Sequence, residues 1–214
     1  MGALSLVDLG THVCHLYRGD DDLKNVTLPF LSNGLRNGEC CIYVTDGNAV
    51  DDWYDELQAQ GIDVPPARDS GALVITSGQA WRAMCQAGSI EMAREVLGLV
   101  DQKLGIFPSI RIAGDVSWGA EPAAVTAEML CHWEATANIV FEGLPARVIC
   151  QYDLESSAPA YIHAALRTHP IVLYKGRRVR SPYYEAAHIL EKEPMLNRSS
   201  DDPELVANML AKLA

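Results

Sequence analysis

Uninterrupted apolar runs of strand length recur along the chain and alternate with segments in which apolar residues have helical spacing. The strand-like runs cover residues 11–17, 40–45, 72–76, 110–113, 147–152 and 169–174. The segments of helical spacing cover residues 48–60, 89–104, 121–142 and 157–166. Strands buried on both faces are typical of parallel sheets, whose strands are joined by helical crossovers. The pattern therefore predicts an α/β fold with three layers, in which helices cover both faces of a mostly parallel central sheet.

Glycine and proline positions predict where several of these elements end. We interpret Gly34 as the end of a helix and Gly38 as the turn that leads into the strand at 40–45. Residues 18–22, with the sequence RGDDD, are interpreted as an acidic loop after the first strand. Residues 62–70 contain two consecutive prolines and are interpreted as a second loop.

One domain accounts for most of the chain. The 214 residues, of which 49% are hydrophobic and 21% charged, suffice for a single substantial core. We assign residues 1–190 to this domain. Residues 191–214 are assigned to a polar spacer followed by an amphipathic helix at 203–213.

Composition excludes several classes of partner. The formal net charge of −11 argues against direct binding to nucleic acid, which requires a basic face. No segment approaches the roughly 20 apolar residues of a membrane span, and the N-terminus lacks the pattern of a signal peptide, so we expect a cytoplasmic protein without membrane contact. The six cysteines include no C-x-x-C pair, and three lie in apolar runs, which predicts buried, reduced thiols.

Short motifs follow one another in a fixed order between residues 10 and 190. They comprise His12, Cys14 and Tyr17, Asp20 to Asp22, Pro29 to Leu31, Gly34 and Leu35, Gly38 and Glu39, Arg111 with Gly114 to Trp118, Trp133, Glu134 and Asn138, Ile149 to Asp153, Thr168 to Pro170, and Ser181 to Tyr184. In this order they resemble the motifs of the MEDS family, the methanogen/methylotroph, DcmR sensory domains. Val116, Trp133 and Ser181 stand where that family usually has Met, Tyr and Asn.

The resemblance implies both a fold and a function. The implied fold is a RecA/KaiC-like scaffold with a degenerate phosphate-binding loop, because the sequence G-x-x-x-x-G-K-[ST] that holds phosphates is absent. ATP hydrolysis would then have been lost, and no cofactor is expected. The implied function is non-catalytic recognition of a small organic signal, such as a hydrocarbon-derived or C1 compound. The signal would pass to a protein partner in a transcriptional or signalling pathway, and a homodimer is allowed.

The same resemblance and the ends of the predicted strands point to a ligand-binding site. Its candidate residues are His12, Cys14, Tyr17, Asp115, Ser117, Trp118, Glu134, Asn138, Tyr152, Asp153 and His169. Ligands in open α/β sheets bind outside the carboxyl ends of the strands, so we expect the site there. His12, Cys14, Trp118 and Tyr152 would form its walls, with Asp115 and His169 at the rim. Each of these residues also has a purely structural interpretation in the core or in a turn.

Two other classes of function stay open. A metal- or redox-sensing protein would use His12 and Cys14, with His15, Cys131 and His132 as further soft ligands. Adjacent residues on a helix point about 100° apart, which weakens the case for Cys131 and His132 as a pair. An enzyme is the weakest alternative, since no nucleophile elbow, paired carboxylates or cofactor motif is present.

Overall fold

The computed structural model describes residues 7–45, 49–116, 125–186 and 201–214. Its strands are β1 (Thr11–Tyr17), β2 (Cys40–Thr45), β3 (Leu73–Ser77), β4 (Ile110–Asp115), β5 (Ala146–Asp153), β6 (Ile171–Tyr174) and β7 (Arg177–Arg180). Its helices are α1 (Gly19–Arg36), α2 (Val50–Ala59), α3 (Val64–Asp69), α4 (Gln79–Ala87), α5 (Ser89–Leu104), α6 (Ala127–Phe141), α7 (Pro159–Thr168) and α8 (Pro203–Ala211).

The seven strands in the described residues form one sheet in the order β3-β2-β4-β5-β1-β6-β7. Neighbouring strands are parallel except for the antiparallel pair β6 and β7. Apolar side chains pack on both faces, with α1 to α3 on one side and α4 to α8 on the other. The predicted three-layer α/β fold is therefore confirmed.

Several predicted boundaries are wrong. Helix α1 begins directly after Arg18, so the three aspartates at 20–22 lie in its first turn, where negative charge is favourable, and not in a loop. Residues 64–69 form α3 where a loop was predicted, because both prolines occupy the first turn, which needs no amide donors. Helix α4 was not predicted. The predicted helix start at 121 falls outside the described residues, and the described part begins after a Thr126 cap.

Gly34 lies inside α1 rather than at its end, which is at Arg36. A Cβ atom at position 34 would lie 2.5 Å from Cys41 Sγ and 2.6 Å from Arg111 Cδ. Helix α1 can therefore approach the sheet closely only because residue 34 has no side chain. Gly38 has a φ of 72° in the turn before β2, as predicted.

A buried ion pair lies beneath this close approach. Arg111 Nε and Nη2 donate to the two carboxylate oxygens of Glu39, the second at 3.2 Å, and Arg111 Nη1 donates to the Phe30 carbonyl at 3.0 Å. Arg147 Nη1 is 3.5 Å from Glu39 Oε2. Burial by itself raises the pKa of Glu39, but the contacts with Arg111 and Arg147 outweigh it and lower the pKa. The pair connects α1, the turn before β2 and strand β4.

The C-terminal part of the described chain completes the sheet and one helical layer. Lys175 and Gly176, with φ of 49° and 69°, form the tight turn between β6 and β7. Helix α8 adds Val206 and Met209 to the core beneath α7. None of the described helices is long and apolar enough to cross a membrane.

Candidate functional site

Six polar side chains meet in the interior between the sheet and helices α6 and α7. His12 comes from β1, Cys150 and Tyr152 from β5, and His169 from the connection between α7 and β6. Glu134 and Asn138 come from α6 and are four residues apart, so they share one helix face, as the sequence predicted. His12, Glu134, Tyr152 and His169 are all less than 4% exposed.

Four atoms at the centre of this cluster approach one another closely. His12 Nε2 is 3.1 Å from Glu134 Oε2, 3.2 Å from Cys150 Sγ and 3.1 Å from His169 Nε2. His169 Nε2 is 3.6 Å from Glu134 Oε2. The other carboxylate oxygen of Glu134 accepts a hydrogen bond from the Tyr152 hydroxyl.

Surrounding groups determine which nitrogen of each histidine carries the proton. His169 Nδ1 is 2.8 Å from the Ala165 carbonyl, which can only accept, so Nδ1 carries the proton. Asn138 Nδ2 donates to the carbonyls of Glu134 at 3.1 Å and Thr168 at 2.7 Å. Its Oδ1 therefore faces His12 Nδ1, at 3.3 Å, as an acceptor. In its neutral form each histidine therefore presents the lone pair of Nε2 to the centre of the cluster.

The charges within the cluster follow from burial and from its own contacts. Burial raises the pKa of Glu134, but the contacts with His12, His169 and Tyr152 outweigh it and lower the pKa to about 2. Burial, reinforced by His12, lowers the pKa of His169 to about 3. Burial and the Glu134 carboxylate raise the pKa of the Cys150 thiol. At neutral pH the cluster thus contains a carboxylate, a neutral His169 and a protonated thiol.

An apolar chamber adjoins the cluster on the side of α5 and α6. Its volume is about 30 Å³. Its lining residues are His12, Val44, Trp81, Met92, Val96, Ile112, Gly114, Val116, Trp133, Glu134, Ala137, Phe141, Val148, Ile149 and Cys150. The rings of Trp81 and Trp133 meet edge to face, with their centroids 5.7 Å apart. The chamber is therefore apolar except at the end formed by His12, Glu134 and Cys150.

Several residues predicted for one site do not join this cluster. Tyr17 and Asp115 lie on the opposite face of the sheet, where the Tyr17 hydroxyl donates to Asp115 Oδ1 at 3.2 Å. Asp153 accepts from the Glu155 amide at 2.9 Å and the Ser156 hydroxyl at 2.7 Å, and so caps the turn after β5. Cys14 shares the face of His12 but is completely buried in the apolar core. Ser117 and Trp118 lie outside the described residues.

The cluster does not lie at the carboxyl ends of β1 and β6, where the site was expected, although Tyr152 is near the carboxyl end of β5. His12 is the second residue of β1, and His169 precedes β6, so both lie near the amino ends of their strands. His169 is completely buried rather than at a rim. Helix α6 lies over this part of the sheet and supplies the carboxylate from above, which a rule based on strand ends does not consider.

Cys150 was not among the residues predicted for the site. Tyr152 was selected, and residues two apart on a strand point to the same face, so this spacing was the signal that could have identified Cys150. The soft ligands suggested for a metal site separate in the structure. Cys131 is buried in the apolar core beside α7, and His15 lies on the other face of the sheet.

A second polar network surrounds His15 on that other face. Gln151 Nε2 donates to His15 Nδ1 at 3.1 Å and to Thr27 Oγ1 at 2.8 Å. Asp22 Oδ1 is 3.9 Å from His15 Nε2, and the Tyr17 ring centroid is 5.7 Å from that of His15. Burial lowers the pKa of His15 from 6.5 to about 4, with Asp22 opposing the shift.

We expect His15 to make the fold less stable in acid. The unfolded chain binds a proton near pH 6.5 and the folded chain only near pH 4. Above pH 6.5 the buried, neutral His15 therefore does not lower the free energy of unfolding. As the pH decreases from 6.5 to 4, the free energy of unfolding falls by up to about 3 kcal/mol. Urea denaturation at several pH values should give a flatter profile for His15→Gln than for the wild type. Parallel profiles would contradict the assignment.

The amino-acid sequence of this chain matches one known protein family. The sequence model of MEDS, the MEthanogen/methylotroph, DcmR Sensory domain, matches residues 11–170. The chain belongs to the MEDS family. A search of curated protein sequences returned no significant match.

Solved structures similar to this MEDS domain support the fold alone, because their sequence identity is low. A KaiC-like protein from the archaeon Pyrococcus horikoshii OT3 has a TM-score of 0.54 and 13% sequence identity. The matched region covers 78% of this chain and 73% of the KaiC-like chain. The flagellar accessory protein FlaH from Methanocaldococcus jannaschii has a TM-score of 0.53 and 9% sequence identity. The matched region covers 80% of this chain and 76% of the FlaH chain.

Two groups of motif residues in this MEDS domain come together in space. Gly34, Glu39 and Arg111 form the close approach and ion pair beneath α1. The second group forms the cluster between the sheet and helices α6 and α7, and its members are His12, Glu134, Asn138, Cys150, Tyr152 and His169. The first group has a structural role, so the second is the candidate functional site.

Proposed function

We propose that this MEDS domain is a non-catalytic sensor that binds a small organic signal of one-carbon size in the apolar chamber beside His12, Glu134 and Cys150. The single observation that supports it most is the chamber itself, apolar on most sides and polar at one end. Small-molecule sites combine such apolar walls with a few placed polar groups. A volume of about 30 Å³ corresponds to about two water-sized groups, which favours ligands of two or three heavy atoms.

The start of α1 supports the absence of nucleotide chemistry. A single residue, Arg18, connects β1 to α1, so no extended loop of backbone amides is available there to surround a phosphate. Asp20, Asp21 and Asp22 occupy the first turn of the helix and would repel a triphosphate. We therefore expect no ATP turnover. The relay to a protein partner in a regulatory pathway is the part of the proposal that rests on the sensory description of the family.

Binding to the chamber can be tested with methanol, methanethiol and dichloromethane as probes. Trp81 and Trp133 line the chamber, so a bound probe should change tryptophan fluorescence and raise the melting temperature. Gly114→Ala should weaken binding about tenfold, or about 1.4 kcal/mol, because its methyl group would enter the chamber. The new Cβ would meet Val44 Cβ at 3.8 Å, an ordinary contact, so the fold should be retained.

Gly98→Ala is the matched control, since a Cβ there meets nothing within 4 Å and the residue lies on α5 outside the chamber. It should leave probe binding unchanged. Binding that Gly114→Ala does not weaken would place the ligand elsewhere. Failure of every probe to bind, or ATP hydrolysis abolished by a single substitution, would reject the sensory proposal.

A further inference from the structure

The centre of the cluster has more acceptor atoms than donors. As neutral imidazoles, His12 and His169 present lone pairs at Nε2, because their protons are held at Nδ1 by Asn138 and Ala165. Glu134 Oε2 is buried and accepts no hydrogen bond while both imidazoles are neutral. The Cys150 thiol is the one donor within this group of four, and S–H is a weak donor. Three buried acceptors that face one another around one weak donor are unfavourable unless a cation lies among them.

We propose that His12, Glu134, Cys150 and His169 bind one divalent metal ion, and that zinc fits this set of two nitrogens, one oxygen and one sulfur best. The proposal goes beyond the sensory function and does not depend on an organic ligand in the chamber.

Distances between the four ligand atoms are close to those of tetrahedral coordination. Zinc bonds of about 2.0–2.3 Å place the ligand atoms of a tetrahedron about 3.3–3.8 Å apart. His169 Nε2, Glu134 Oε2 and Cys150 Sγ are 3.1, 3.1 and 3.2 Å from His12 Nε2. His169 Nε2 is also 3.6 Å from Glu134 Oε2. All four atoms lie within 4.8 Å of one another. Small side-chain movements would therefore suffice to admit the ion.

The groups behind the ligands have the arrangement that metal sites require. Metal-binding histidines usually donate their other N–H to a carbonyl or carboxylate, which fixes the ring and its tautomer. Asn138 Oδ1 fills this place for His12, and the Ala165 carbonyl fills it for His169. The Tyr152 hydroxyl orients Glu134 by donating to the carboxylate oxygen that faces away from the centre.

Charge balance also favours a divalent ion in this buried place. Binding displaces the proton of the Cys150 thiol to solvent, and the thiolate forms the bond to the metal. One thiolate and one carboxylate then balance the two positive charges of the ion, while both histidines stay neutral. The filled site has no net charge, which reduces the cost of burying it.

Cobalt(II) is the probe that reports the ligands directly. The reduced, untagged full chain, treated with chelator and then titrated with Co²⁺, should show strong tetrahedral ligand-field bands and a thiolate-to-cobalt charge-transfer band. Cys150→Ser should remove the charge-transfer band and weaken binding of Co²⁺ and Zn²⁺ by at least about tenfold. Cys14→Ser is the matched control, because Cys14 is also buried and is the β1 residue paired with Cys150. It should keep both the band and the affinity.

The wild-type spectrum tests the metal site even if Cys150→Ser does not fold, because the charge-transfer band requires a cysteine ligand. Cys14→Ser then shows whether the neighbouring cysteine, Cys14, is that ligand. Loss of the band in Cys14→Ser but not in Cys150→Ser would overturn the assignment. So would the absence of any tetrahedral Co²⁺ spectrum together with less than a tenth of an equivalent of zinc in the untagged protein. A proton shared by His12 and His169 would then be the cation that lies among the buried acceptors. Gly114→Ala should leave metal binding unchanged, which separates this test from that of the chamber.

Discussion

Replacement of Arg111 by Met is expected to lower the free energy of unfolding by about 3 kcal/mol or more. The substitution preserves much of the apolar volume but leaves the Glu39 carboxylate buried without its two hydrogen bonds from Arg111. The Phe30 carbonyl also loses its donor. Arg147, 3.5 Å from Glu39, offsets only part of the loss because its hydrogen-bonding geometry is poorer. Urea denaturation monitored by circular dichroism would measure the change.

Arg94→Met serves as the control for this experiment. Arg94 is 69% exposed and pairs with Glu91 on the surface of α5, so its replacement should change stability by less than about 0.5 kcal/mol. Adding Glu39→Gln to the Arg111→Met variant should recover part of the loss, since it removes the unpaired charge. Equal effects of Arg111→Met and Arg94→Met would show that the buried pair does not stabilise the fold.

Gly34→Ala and Gly98→Ala are expected to change stability in opposite directions although both add one methyl group to a helix. At position 34 the new Cβ would be 2.5 Å from Cys41 Sγ and 2.6 Å from Arg111 Cδ, so α1 must move away from the sheet or the ion pair must shift. We expect a loss of about 1–3 kcal/mol from this overpacking.

Position 98 meets no atom within 4 Å, so alanine there acts only through helix propensity and should stabilise by about 0.5–1 kcal/mol. Thermal and urea denaturation of the two variants would measure both effects. A Gly34→Ala protein as stable as Gly98→Ala would mean that α1 does not depend on the absence of a side chain at residue 34.

The sequence predicted the sheet well because its strands are buried on both faces. Long apolar runs such as β1 and β2 stand out from helical periodicity whatever their partners are. The start of α1 and the existence of α3 and α4 were harder to predict. Glycine begins α1, and two prolines follow the first residue of α3; both residue types are usual signals for a loop.

The candidate site was predicted only in part because strand order and layer were unknown. Helix periodicity correctly placed Glu134 and Asn138 on one face of α6. Alternation along β1 already separates His12 from Tyr17, yet both were assigned to one site on the argument that strand ends converge. The position of β1 between β5 and β6 brings Cys150 and His169 to His12, and pairing between distant strands cannot be derived from local sequence.

Strand β1 carries a histidine network on each of its faces, His12 towards α6 and His15 towards α1. A register shift of one residue would exchange the faces and turn each imidazole towards the other layer of helices. Each histidine would then lose its partners, Asn138 in one case and Gln151 in the other. The two networks therefore favour one alignment of β1 with its neighbouring strands. An apolar central strand of the same length would have no such polar contacts to select its register.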